Sequence, residues 1–101
     1  MKVIIPKKPS GRGSIYDLEN QFYDNEITFV NGTQFAIVYP AYYNANVELF
    51  KKESRVIRRL KEIAKEGYEG VRVINRYGEV LEVYEDILVR DPYEKSFAVE
   101  K

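Results

Sequence analysis

The sequence contains no cysteine and no histidine among its 101 residues. The absence of cysteine excludes disulfide bonds and thiolate metal sites. The absence of histidine excludes Ser-His-Asp and Cys-His nucleophilic systems and any imidazole general base. Catalysis by this chain would have to use carboxylates, lysine, tyrosine or arginine. We therefore expect a protein that is not an enzyme and that binds neither a metal nor a cofactor.

Long apolar runs are also absent. No stretch approaches the roughly 18 apolar residues that a transmembrane helix requires. The apolar residues near Met1 are followed at once by Pro6 and Lys7, which makes that segment too short for the core of a signal peptide. We expect no membrane partner and a location in the cytoplasm.

The remaining composition is that of a folded domain. Hydrophobic residues make up 45% of the chain and charged residues 32%, which favours a globular protein over a disordered one. A chain of this size buries about 60–70% of its unfolded surface, which is enough for a stable core without crosslinks. We predict a single domain that spans residues 1–101.

The net charge is zero, but the charges are unevenly distributed along the chain. Residues 1–13 carry four bases and no acid, residues 14–26 carry four acids and no base, and no charge falls between Ile27 and Val47. Zero net charge argues against strong non-specific binding to DNA, whereas local basic patches remain compatible with it.

The stretch 46–67 has the apolar spacing of a long helix. Asn46 is a suitable N-cap, and Gly67 suits the left-handed residue that follows a last turn. The apolar residues that recur at helical spacing are Leu49, Phe50, Val56, Ile57, Leu60, Ile63 and Ala64. An alternative is a strand in residues 47–52, followed by a shorter helix that Ser54 caps.

The polar face of this predicted helix is basic and is a candidate site for nucleic acid. Arginine side chains form paired hydrogen bonds that suit phosphate. The candidate residues are Lys51, Lys52, Arg55, Arg58 and Arg59. The alternative is that these bases form ion pairs within the helix, with Glu48, Glu62 and Glu66.

Residues 7–13 (KKPSGRG) form a predicted loop that is also basic. The loop resembles an AT-hook, in which an arginine between small residues enters the minor groove of DNA. A glycine-rich turn between a strand and a helix also exposes backbone N–H groups that bind phosphate. Lys7, Lys8 and Arg12 are therefore candidate contacts to DNA or RNA, and the alternative is a solvated loop.

Asn31 and Gly32 separate two runs that favour β-strands, which predicts a hairpin with a type I′ turn. In that hairpin Thr28 would lie opposite Phe35. One predicted face carries Ile27, Phe29, Ala36 and Val38, and the other carries Phe35, Ile37 and Tyr39. Because both faces are apolar, we expect them to be covered on both sides.

Further strands are predicted after the helix. Residues 71–76 and 79–84 flank Tyr77 and Gly78 as a second hairpin, and Ile87–Arg90 and residues 97–100 are weaker strands around an Asp-Pro turn. The pattern predicts an α+β fold in two layers, with a mostly antiparallel sheet and one long helix packed on it. A short helix that starts at Ser14 would complete the βαββαβ order of ferredoxin-like domains, with extra C-terminal strands.

The chain has two resemblances to known groups of proteins. Residues 35–38 (FAIV) resemble the middle of the RNP1 signature of RNA-recognition-motif domains, which implies base stacking by Phe35, and the alternative is a buried strand. The composition resembles that of small uncharacterised proteins of hyperthermophilic archaea and archaeal viruses, since it is rich in charge and tyrosine and free of cysteine. For a viral protein, the expected location would be the cytoplasm of the host.

Tyrosine accounts for nine residues of the chain, and three of them fall close together just before the predicted helix. Tyrosine is favoured at protein interfaces because a rigid ring and one hydroxyl give contact area at low entropic cost. The candidate interface residues are Tyr39, Tyr42 and Tyr43. They support the alternative function, which is a homo-oligomeric interaction or structural subunit.

Overall fold

The computed structural model describes residues 2–5, 25–40 and 45–100. Within these ranges the chain forms eight strands and one helix, α1 (Glu53–Lys65). The strands are β1 (Lys2–Ile5), β2 (Asn25–Thr28), β3 (Phe35–Pro40), β4 (Ala45–Phe50), β5 (Arg72–Asn75), β6 (Val80–Tyr84), β7 (Ile87–Arg90) and β8 (Ala98–Glu100). The predicted short helix at Ser14 lies outside the described residues.

The strands form two antiparallel sheets. One sheet has the order β2-β1-β8, and the other has the order β4-β3-β5-β6-β7. Every pair of neighbours among the described strands is antiparallel. The ferredoxin-like alternative is wrong for these strands, because it would place the first strand in the same sheet as the central strands, whereas β1 and β3 lie in different sheets.

The α+β prediction is confirmed, and the second sheet adds a third layer to the predicted two. The two sheets pack face to face around buried Val3, Ile27, Phe29, Ala36, Val38 and Ile74. The opposite face of the five-stranded sheet packs against α1 around Ile37, Tyr39, Val56, Ile63 and Val73. The five-stranded sheet thus lies in the middle and buries apolar side chains on both faces.

The predicted turn at Asn31 and Gly32 is confirmed, but the predicted hairpin is wrong. Both residues have positive φ, 45° and 78°, and the Thr33 N–H donates to the Val30 carbonyl at 2.9 Å. However, β2 pairs with β1, whereas β3 pairs with β4 and β5. The turn therefore carries the chain from one sheet to the other. The predicted division of apolar residues between two faces is nevertheless correct. The strands before and after the turn belong to different sheets, but these sheets stack on each other and share one core.

The long helix of residues 46–67 is wrong in its first part. Residues 45–50 form the edge strand β4, which pairs along the whole of β3. The alternative of a strand followed by a shorter helix is confirmed, although Lys52 rather than Ser54 occupies the N-cap and its side chain forms no capping hydrogen bond. Gly67 has the predicted left-handed conformation, with φ of 85°.

The later strands lie where they are predicted, and the structure shows one further hairpin, between β6 and β7, that was not predicted. Strands β5 and β6 pair with Ile74 opposite Val80, and β6 and β7 pair with Tyr84 opposite Ile87. The second of these hairpins turns at Glu85 and Asp86, which both have positive φ. No helix in the described ranges has the length and apolar character needed to cross a membrane.

Candidate nucleic-acid interface

The basic side chains at the start of α1 form the described part of the predicted nucleic-acid site. Lys51 and Lys52 directly precede the helix, and Arg55 and Arg58 lie in its first two turns. All four are exposed, and none forms an ion pair within the described part of the chain. We call these four residues the basic surface. Lys7, Lys8 and Arg12 lie outside the described residues.

Arg59 is different because carboxylates already occupy its guanidinium. Its Nε lies 2.8 Å from Glu48 Oε1, and its Nη2 lies 3.0 Å from Glu48 Oε2. Its Nη1 is 3.6 Å from Glu66 and 3.9 Å from Glu62. The alternative prediction, that arginines pair with these three glutamates, is confirmed for Arg59. We therefore leave Arg59 out of the basic surface.

Tyr39 belongs to the same network. Its hydroxyl donates to Glu48 Oε2 and lies 3.4 Å from Arg59 Nη2, and its ring meets Tyr68 edge-on at a centroid distance of 4.9 Å. Tyr39 is only 7% exposed. We therefore do not assign it to an interface, and the other two predicted interface residues, Tyr42 and Tyr43, lie outside the described residues.

The network changes the acid–base properties of its members. The bidentate hydrogen bond from Arg59 lowers the pKa of the Glu48 carboxyl, and the Tyr39 hydroxyl acts in the same direction. The hydrogen bond to ionised Glu48 raises the pKa of Tyr39, as does burial. Glu48 is thus held ionised between a cation and a neutral phenol, and it ties the edge strand β4 to α1.

Replacing Glu48 with glutamine should make stability less dependent on pH in the acid range. The folded state holds the pKa of Glu48 below its ordinary value of 4.5, so unfolding takes up a proton as the pH falls. The stabilisation by ionised Glu48 is complete above about pH 5 and is lost as the pH falls through the lowered pKa. Urea unfolding from about pH 6 to about pH 3 should show a shallower loss of free energy for Glu48→Gln than for the unmutated chain.

The control for this experiment is Glu62→Gln, which removes a carboxylate that is 54% exposed and 3.9 Å from the same arginine. An exposed pair of this kind contributes less than about 1 kcal/mol, so we expect little change at neutral pH. Parallel pH curves for Glu48→Gln and the unmutated chain would show that the lowered pKa of Glu48 does not contribute to stability.

The RNP1 resemblance does not lead to a binding surface. Ala36, Ile37, Val38 and Tyr39 are buried, and Phe35 packs against the core between the sheet and α1. Base stacking requires aromatic rings on an open sheet face, but both faces of β3 are covered. The alternative prediction of a buried strand is confirmed.

No protein-family model, no curated protein and no solved structure matches this chain. A fold by itself does not define a function, because unrelated functions occur on the same architecture. The charges and contacts of the described surface are therefore the basis for a functional assignment.

Proposed function

We propose that this protein binds the phosphate backbone of nucleic acid, without catalysis, through the basic surface. The observation that supports the proposal is that the arginines of α1 differ in their carboxylate partners. Arg59 has three carboxylate partners, whereas the neighbouring Arg55 and Arg58 have none among the described residues. Unpaired cations grouped on one surface give a local positive potential even when the net charge is zero.

The residue types favour phosphate as the ligand. The guanidinium groups of Arg55 and Arg58 offer planar pairs of donors to phosphate oxygens, and Lys51 and Lys52 add two mobile point charges. Such contacts carry no base information, so DNA and RNA of any sequence should bind in a similar way. Lys7, Lys8 and Arg12 supply three further candidate contacts from outside the described residues.

Removing the basic surface should weaken binding and reduce its dependence on salt. Each phosphate contact on duplex DNA contributes about 0.9 to the slope of log K against log salt, so loss of four contacts should reduce that slope by about 3.6. The variant replaces four residues with alanine: Lys51, Lys52, Arg55 and Arg58. Fluorescence anisotropy with labelled duplex and single-stranded oligonucleotides, from about 50 mM salt upward, measures both effects.

A matched control removes the same number of charges elsewhere on the surface. It replaces four exposed cations with alanine: Lys2, Lys61, Arg90 and Lys95. Three of them already face a carboxylate, at Glu26, Asp86 and Glu79. We expect the control to bind with nearly the original slope. Equal losses in the two variants, or no binding at about 50 μM protein in low salt, would refute the proposal.

A further inference from the structure

The hairpin of β6 and β7 exposes large apolar side chains near its turn. Val80 and Tyr84 lie on the same face of β6, and Ile87 lies directly opposite Tyr84. Val80 is 5% exposed, whereas Tyr84 is 60% and Ile87 is 51% exposed. The same face of one hairpin is therefore buried at its base and open at its end.

The open end of the hairpin begins where the three-stranded sheet stops covering the five-stranded sheet. Ile74, opposite Val80, lies in the core between the sheets, and Phe97 and Val99 pack against that core. The Phe97 N–H donates to the Gly78 carbonyl at 2.7 Å, which fixes this cover beside the base of the hairpin. The apolar face continues beyond this cover and is exposed at the end of the hairpin, and exposed apolar patches are common interaction sites.

Acidic residues surround the open end of the hairpin. Glu82 lies on the same face as Tyr84, and Glu85 and Asp86 form the turn. We call Glu82, Tyr84, Glu85, Asp86 and Ile87 the hairpin-tip surface. Lys61 lies 3.9 Å from Asp86, but both side chains are mostly exposed and such a pair is weak. The surface therefore repels a second copy of itself and attracts a positively charged partner.

We propose that the hairpin-tip surface of one molecule docks onto the basic surface of a second copy of this chain. The two surfaces have opposite charge within a protein of zero net charge, which favours association between copies. The aliphatic parts of Lys51 and Lys52 can cover Tyr84 and Ile87, and an arginine can stack on the tyrosine ring. The contact joins two different surfaces, so it produces a ring or an open chain of molecules.

Sedimentation of the unmutated protein, without nucleic acid, tests the association itself. We expect the average mass to rise above that of the monomer as the concentration increases to about 1 mM at about 50 mM salt. Salt at about 0.5 M should reverse the rise, because exposed charges are then screened. A monomer at every concentration in low salt would overturn the proposal. The result is independent of the oligonucleotide titration, because no nucleic acid is present.

Charge reversal identifies which surfaces meet. The hairpin variant carries Glu82→Lys and Glu85→Lys, and the helix variant carries Arg55→Glu and Arg58→Glu. Each variant alone should remain monomeric, because the hairpin variant is net positive on both surfaces and the helix variant has lost the net positive charge of its basic surface. An equimolar mixture should associate again, since each variant supplies the surface that the other lacks. Circular dichroism and thermal unfolding establish that both variants are folded.

Two further variants complete the test. Lys95→Glu reverses an exposed charge outside both surfaces and should associate like the unmutated protein. Ile87→Ser leaves all charges unchanged and should weaken association about tenfold, the effect of losing roughly one half-buried aliphatic side chain. Association of the helix variant alone would instead indicate a symmetric contact between hairpins. That result, or a mixture that stays monomeric, would overturn the proposal.

Discussion

Gly78→Ala should lower the free energy of unfolding by about 2–5 kcal/mol, although it adds a single methyl group. Gly78 has φ of 83°, a left-handed conformation that costs other residues about 1–2 kcal/mol. A Cβ atom there would lie 2.3 Å from the carbonyl oxygen of Phe97 and 3.2 Å from the side chain of Val99. Since the nearest atom belongs to the backbone, it cannot rotate away, and overpacking adds about 1–3 kcal/mol.

Gly32→Ala separates the cost of the left-handed conformation from the cost of overpacking. Gly32 also has a left-handed conformation, with φ of 78°, but apart from its chain neighbours no described residue has an atom within 4 Å of its hypothetical Cβ. We therefore expect Gly32→Ala to lower the free energy of unfolding only by the cost of the left-handed conformation, about 1–2 kcal/mol. Urea unfolding of both variants gives the comparison. Equal losses would mean that the close approach of residues 97–99 to Gly78 contributes nothing to stability.

The turn at Asn31 and Gly32 could be predicted from the sequence, whereas the strand pair that it suggests could not. Asn31 and Gly32 set the local backbone, because both tolerate positive φ. They do not select the partner of the strand that precedes them. That partner is β1, which also pairs with β8, so this sheet depends on contacts between the two ends of the described chain. The period-two pattern nevertheless assigned Ile27 and Val38 to the same core.

The start of the helix shows why a short apolar run is ambiguous. Residues 46–50 (NVELF) place apolar residues at spacings that suit either a helix or a strand, and the edge of β3 decides between them. The same ambiguity between helix and strand affected the prediction of the ion pair between Glu48 and Arg59. Glu48 is the partner of Arg59 as predicted, but the pair joins β4 to α1 and is not formed within a helix. The exposure of Tyr84 and Ile87 on the β6–β7 hairpin could not be predicted from the sequence, because it depends on how far the three-stranded sheet extends over the hairpin.

Ile63→Ala should also lower the free energy of unfolding by about 2–5 kcal/mol. The Ile63 side chain is completely buried between α1 and the five-stranded sheet, in the same core as Ile37 and Val73. Its truncation removes apolar contacts and leaves a cavity that sheet and helix close only in part. Denaturant unfolding measures the loss, and an unchanged m-value would show that the unfolded state is unaffected.

Ile57→Ala is the matched control, because it makes the same substitution on the same helix. Both changes gain the same small amount of helix propensity, so the difference between them reports on burial alone. Ile57 is partly exposed and lies outside the core that contains Ile63, and we expect a loss of only about 1 kcal/mol. If Ile57→Ala cost as much as Ile63→Ala, the helix would have to pack on the sheet through a different face. Arg55 and Arg58 would then no longer be placed on the solvent face of the helix, which would remove half of the basic surface on which both functional proposals depend.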